Sequence, residues 1–331
     1  MPANITINYD STQYAKSSAS GVITFAPITS NYLLASYITT FGAEKIPGFS
    51  LSSIPFNELN YATYSDVYPT SSTNATLIID SASTADVSSI VSLAHAAGCK
   101  VLVSLADNTF SPALDSILGS PTLLPAITEN VANLVSQYGF DGVSLDWEQT
   151  TWKADHQTKV ANLFSGLRAT LPAGKILVLY SYQTARTDCV SAVNPDYVFL
   201  GYGPNISAQQ AQLKYWVSQG FPASKIAVII PEYGQDANGN VIASWSDIVK
   251  VSSLNAMSQN SASVNTIVSS IVPSPAVVAG GVLSWAGPTY VQSLVTWLKA
   301  NGFAGAGLYE ASYDVQNSSN SLTSITSGYI K

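Results

Sequence analysis

Two periodicities alternate along the chain. In STADVSSIVSLAHAAGC, Val87, Ile90, Val91 and Ala94 recur at i, i+3, i+4 and i+7, which predicts an amphipathic helix over 83–99. Ser83 or Thr84 ahead of Asp86 marks its start, and Gly98 its end. Next comes KVLVSLAD (100–107), a short and nearly continuous apolar run that suits a strand covered on both faces. Further strands are expected at 33–41 (LLASYITTF), 57–67 (NELNYATYSDV), 140–148 (FDGVSLDWE), 175–182 (KILVLYSY), 196–203 (DYVFLGYG), 225–234 (KIAVIIPEYG) and 303–312 (FAGAGLYEAS). Helical patterns fall over about 122–137, 153–170 and 209–218, and over TYVQSLVTWLKANG up to Gly302.

Eight strands alternating with helices in a chain of 331 residues predict an α/β fold, a (β/α)8 TIM barrel in one domain over 31–331. Residues 1–30 precede the first barrel strand and read as an N-terminal extension, a hairpin. An open doubly wound sheet would carry a glycine-rich turn after its first strand, and none is present. AVVAGGVLSW (276–285) is itself strand-like and competes with FAGAGLYEAS for the eighth position; the latter is taken as the barrel strand.

Composition narrows the function classes. Charged residues are 10% of the chain, far below the usual share of about a quarter, so hydroxyls and amides must cover the surface. A net charge of -7 with 13 Lys plus Arg offers no basic patch for nucleic acid or an acidic membrane. No apolar run is long enough to span a bilayer. The first residues have neither the basic end nor the apolar core of a signal peptide, as expected of a mature secreted protein with an added Met. Cys99 and Cys189 read as two free buried thiols, with one disulfide as the alternative. His95 and His156 fall on separate helices, which argues against metal or Ser-His chemistry; no metal or other cofactor is expected. Sequons at Asn4, Asn74, Asn205 and Asn317 arise by chance in a chain so rich in Asn, Ser and Thr.

The chemistry concentrates in FDGVSLDWEQ. Strand side chains alternate, so Ser144, Asp146 and Glu148 share one face while Val143, Leu145 and Trp147 take the other. Two carboxylates at the C-terminal end of a barrel strand stand where barrel active sites sit. Glu148, last on the inward face, is the expected general acid, its proton retained through burial and the neighbouring Asp146 charge. Trp147, on the outward face, is expected to pack against a helix. Besides Trp147, the residues Tyr202, Tyr233, Trp285 and Tyr309 are candidate platforms for a ring-bearing ligand, with Tyr202 and Tyr309 preferred.

This stretch resembles the D-x-x-D-x-D-x-E signature of family 18 glycoside hydrolases, the chitinase-like barrels, at Asp141, Asp146 and Glu148, with Gly142 and Trp147 also as that family often has them. Ser144 departs from it, standing where the family usually has a third acid and spore-cortex members an Asn. KVLVSLAD is similar to the third strand, with Ser104 matching and Ala106-Asp107 replacing two glycines. In DYVFLGYG, Tyr202 falls on the substrate-binding tyrosine and Gly203 replaces an acid. IIPEYG is similar to the seventh strand, and Tyr309 stands for the eighth strand's usual Trp. The likeness covers about 33–314.

It implies retaining, substrate-assisted hydrolysis of β-1,4-linked N-acetylglucosamine polymers, chitin first of all. The sugar's N-acetyl oxygen attacks, Glu148 protonates the leaving oxygen, Asp146 grips the acetamido N–H and Tyr202 bonds the same group. Ser144, Tyr309 and Trp285 would line the substrate site, with Asp141 and Ser104 in supporting roles. The partner implied is an N-acetylglucosamine-containing polysaccharide or oligosaccharide, with no nucleic acid and no membrane. Two alternatives stand: a catalytically silent chitin- or glycan-binding barrel, and an endo-β-N-acetylglucosaminidase acting on glycans or peptidoglycan.

Overall fold

The computed structural model describes residues 32–39, 49–79, 84–106, 113–147, 153–181, 193–201, 203–263, 281–315 and 317–331, together with the backbone of 14–19 and 22–27. The chain begins with an antiparallel hairpin of β1 (Tyr14–Ala19) and β2 (Val22–Pro27). Then follow β3 (Leu33–Thr39), β4 (Tyr61–Pro69), β5 (Leu77–Ile79), α1 (Thr84–Ala96), β6 (Lys100–Ala106), α2 (Ala113–Leu118) and α3 (Leu123–Tyr138). After them come β7 (Gly142–Asp146), α4 (His156–Thr170), β8 (Ile176–Ser181), β9 (Tyr197–Gly201), α5 (Ile206–Ser218) and β10 (Ile226–Pro231). The last part holds β11 (Tyr233–Gln235), β12 (Val241–Ser244), α6 (Trp245–Ile248), β13 (Ser261–Ser263), β14 (Val282–Trp285), α7 (Pro288–Ala300), β15 (Gly305–Tyr309) and α8 (Leu322–Ile330).

Strands run in the order β3-β15-β10-β9-β8-β7-β6-β4, and β3 pairs with β4 to close the ring. Every pairing round the ring is parallel; β5 is added antiparallel to β4 outside it. This is the expected TIM barrel. FAGAGLYEAS supplies its eighth strand, β15. The rival run contributes β14 to a separate antiparallel sheet, β12-β11-β14-β13, inserted between β10 and β15.

Three boundaries move. The expected strand over 57–67 starts at Tyr61, because Phe56–Glu58 forms a 3-10 turn. The run over 225–234 splits at Glu232: β10 stays in the barrel, while β11 pairs antiparallel with β12 and β14. The pattern over 122–137 was expected to follow β6 directly, but α2 intervenes, and α8 closes the chain. Both helices are short, with too few turns for a clear period.

Two cores form. The barrel interior holds Leu33, Ala35, Tyr37, Leu102, Val178, Phe199, Ala227 and Ile229. The layer between barrel and helices holds the alternate positions, among them Val101, Val103, Val143, Leu145 and Trp147. Glycine is needed where space runs out: a Cβ at Gly142 would lie 2.1 Å from the Ile176 carbonyl oxygen of β8. Gly98, at φ 79°, makes the left-handed turn that ends the α1 segment. The Cys99 thiol is buried and unpaired, and burial pushes it up to about 12. Cys189 lies outside the described residues.

Candidate active site

β7 carries the site. Its register against β6 sets Ser144 beside Ser104 and Asp146 beside Ala106. Both Ser144 and Ser104 are fully buried, and Asp146 is half-buried at the strand's C-terminal end. The interior residues of the flanking strands fix the inward face as that of Ser104, Ser144 and Asp146. The alternation read from the sequence therefore holds: Trp147 points outward, 1% exposed, its ring centroid 4.6 Å from that of His156. Glu148 and Tyr202 lie outside the described residues.

Above Ser144 sits a tyrosine cage. Tyr37 meets Tyr180 edge-on at 5.7 Å and Tyr309 at 5.7 Å, and Tyr309 meets Tyr233 edge-on at 6.3 Å. Burial pushes the Tyr37 and Tyr309 hydroxyls well above the ordinary phenol range, and the charges of Asp146 and Asp66 push the same way. The mouth is thus a field of negative potential among neutral hydroxyls, suited to stabilising a cationic intermediate.

The Tyr37 hydroxyl adjoins Ser144, whose own hydroxyl favours the phenolate. Yet neither of them, nor Ser104 Oγ, reaches hydrogen-bond geometry with a partner among the described residues. Three buried hydroxyls thus gather here without a charged acceptor among the described residues. A carboxylate at position 144 would supply one.

Asp141, the first acid of the signature motif, lies at the opposite end of β7. Its Oδ2 accepts from the Val101 N–H at 2.8 Å and stands 2.8 Å from His95 Nε2, tying β7 to β6 and α1. Trp285 is corrected as a sugar platform: it sits on β14 in the inserted sheet, 1% exposed, so no ring face is open to a ligand. Tyr309 and Tyr233 keep partly open rings at the mouth.

Residues 22–314 match the profile of the glycosyl hydrolases family 18. The chain belongs to this family. No curated protein sequence matches it. Among solved structures it is similar to a family 18 chitinase from the chitin utilization locus of Flavobacterium johnsoniae, at 16% identity and TM-score 0.71 over 91% of this chain and 94% of that one. A class V chitinase mutant of Nicotiana tobaccum in complex with NAG4 aligns at 17% identity and TM-score 0.71, covering 90% and 99%. A chitinase of Rhizomucor miehei gives 19%, TM-score 0.64, 90% and 99%. At such identities these likenesses establish the shared fold, and the family membership makes this barrel a glycoside hydrolase.

Within this family 18 barrel the sequence reading missed several groups. Tyr37 was legible: Leu33, Ala35 and Tyr37 alternate inward. Asp66 was not, because β4 shifts register between Tyr64 and Val67 and the bulge re-aims what strict alternation would turn outward. Gln235 is another. A Cβ at Gly203 would come 2.7 Å from its Oε1, so its amide fills the space left where the family often has an acid.

A buried acid trio, Glu232, Glu310 and Asp314, lies beside the mouth. Glu310 accepts from the Thr39 N–H at 3.0 Å, from the Thr39 hydroxyl and from Ser312 Oγ at 2.5 Å. Asp314 accepts from Ser321 Oγ at 2.6 Å and from the N–H groups of Val315, Leu322 and Thr323. Glu232 has one donor, Thr323 Oγ1 at 3.3 Å. Burial raises all three, and for Glu232 the charges of Asp314 and Glu310 add to it. A protonated Glu232 can donate its Oε2 hydrogen, otherwise without an acceptor, to Asp314.

A raised carboxyl stabilises the fold fully below its unfolded value, 4.5 here, and the gain is lost as pH climbs toward the folded value. Stability should therefore fall with rising pH above about 4.5, by up to about 1.4 kcal/mol per pH unit for one retained proton. Glu232→Gln keeps the shape without the titration, and its melting temperature should change less between pH 5 and 8 than that of the wild type. Identical pH dependence in thermal melts of the two proteins would contradict the assignment.

Proposed function

We propose that this family 18 barrel hydrolyses β-1,4-linked N-acetylglucosamine polymers, chitin first of all, with retention and with the substrate's N-acetyl group as nucleophile. The observation that carries the reading is Asp146 on the inward face at the C-terminal end of β7, with Glu148 two residues further along the chain. The reaction needs a proton for the leaving oxygen and a counter-charge for an oxazolinium-like intermediate. Glu148 supplies the first and Asp146 the second, while Tyr202 holds the acetamido group. Tyr309 and Tyr233 offer ring faces to the sugar, and Ser144 keeps the floor neutral. Ser104 and Asp141 hold the strand. Neighbours named as chitinases, one in complex with NAG4, support the substrate class. A secreted enzyme meeting an extracellular polymer fits the low-charge surface.

Incubation with chitooligosaccharides, read by mass spectrometry for shortened products and by NMR for the first-formed anomer, tests this. Shortened products with the β anomer are expected. Binding without cleavage would favour the silent sugar-binding alternative, and cleavage of glycan cores or peptidoglycan alone would move the substrate.

Ser144 sets an electrostatic expectation. Ser144→Asp places a like charge on the strand face of Asp146, about 6–7 Å away along the strand. The hydroxyls of Tyr37 and Ser104 are placed to accept the new carboxylate as its donors. Repulsion then makes Asp146 harder to ionise, so the acidic limb of the activity profile should move to higher pH. Paired pH profiles with a stability check at each pH decide it; a limb that stays or moves to lower pH refutes the coupling.

A further inference from the structure

We propose that Asp115 and His156 form a positioning unit that holds the acid-bearing end of β7 from outside the barrel, through Trp147, so that proton delivery depends on residues that never meet the sugar. The inference rests on the functional reading above.

Trp147 lies between Asp146 and Glu148 in the chain. Its side chain anchors that segment outside the barrel. It is buried in the layer between barrel and helices, and burying a large apolar side chain is worth about 2–3 kcal/mol. One of its neighbours in that apolar layer is polar. The His156 ring, fully buried on α4, tilts at 40° to the indole. The Lys153 N–H donates to His156 Nδ1 at 3.3 Å, which leaves the ring hydrogen on Nε2, and Nε2 stands 3.2 Å from Asp115 Oδ1. That approach is too bent for a good hydrogen bond but close enough for strong attraction.

Asp115 is in turn clamped by Lys159 Nζ at 2.6 Å and by Lys153 Nζ at 2.8 Å, and Lys159 also reaches Asp155 at 2.8 Å. Partial burial works to raise Asp115, but the two lysines hold it down at about 2. Burial lowers His156, against the pull of Asp115 and Asp155. The ring is therefore a neutral, oriented spacer. α2, which carries Asp115, follows β6; α4 follows β7. One carboxylate thus joins the segments that leave two adjacent barrel strands, around the indole that follows Asp146 in the chain.

A chain this poor in charge places five charged or titratable groups, Asp115, Lys153, Asp155, His156 and Lys159, at one spot behind its active strand. Lys153 and Asp155 are more than half exposed, and such solvated ion pairs add little to stability. Angular precision is what such a network adds: it has few alternative arrangements.

The test uses two substrates in the full-length protein. A chitooligosaccharide has a poor leaving group and needs the proton of Glu148; a 2,4-dinitrophenyl chitobioside leaves without it. His156→Phe keeps a ring against Trp147 but loses the contacts to Lys153 N–H and Asp115, and Asp115→Asn keeps the shape but loses the charge. For both variants kcat on the oligosaccharide should fall about tenfold or more, with KM within about twofold, while kcat on the aryl glycoside falls by less than about threefold. His156→Gln retains a donor toward Asp115 and should recover part of the loss. Equal losses on the two substrates would reduce the unit to packing and overturn the proposal, as would unchanged turnover on both. A wild-type protein inactive on both substrates would instead sink the functional reading, and this inference with it.

Discussion

Glu148→Gln is expected to abolish hydrolysis of chitooligosaccharides while their binding persists. Glutamine has the shape of a protonated glutamate but no acidic hydrogen to pass to the leaving oxygen. General acid assistance contributes about 10²- to 10⁴-fold, and a poor sugar leaving group makes full use of it. The ground-state contacts proposed for the sugar with Tyr309, Tyr233 and the other mouth residues do not involve that proton. Affinity measured by calorimetry should therefore stay within about tenfold, while turnover drops by at least about a hundredfold. A variant that kept half of the wild-type turnover would show that another group is the acid.

Asp146→Ala should damage turnover more than affinity. Its carboxylate stands half-buried at the barrel mouth, and its negative charge reaches Tyr37 and Tyr309 strongly enough to act on both hydroxyls. The same field acts on a positive intermediate that the ground state lacks. An interaction realised mainly in the transition state appears in kcat, and one shared by both states appears in KM. Loss of a single preorganised electrostatic partner is worth about 10²- to 10³-fold in comparable sites. Steady-state kinetics on a soluble oligosaccharide separates the two: a weaker KM at unchanged kcat would mean that Asp146 only holds the substrate.

The inward place of Asp146 was legible because of what a strand is. A two-residue period, a buried parallel sheet and a pair of acids at one end suffice to place Asp146 inward and Trp147 outward, before any coordinates. The resemblance at Asp141, Asp146 and Glu148 then pointed to the chemistry. The same alternation brought Tyr37 within reach, though it was passed over. It failed at Asp66, where a bulge breaks the period, and at Trp285, an aromatic near the chemistry in sequence pattern but walled into the inserted sheet.

The sequence by itself determined the barrel, the order of its strands, the strand that bears Asp146 and the face it takes, because these follow from local periodicity and from the short reach of each strand-helix unit. Only the tertiary structure decided which side chains gather from strands and helices distant in sequence. The tyrosine cage, the unaccepted hydroxyls around Ser144, the trio of Glu232, Glu310 and Asp314, and the Asp115–His156 brace behind Trp147 each draw on segments that no period along the chain relates. Their energies come from burial and from charges a few ångströms apart, quantities set by the closing of the ring rather than by neighbours in the chain.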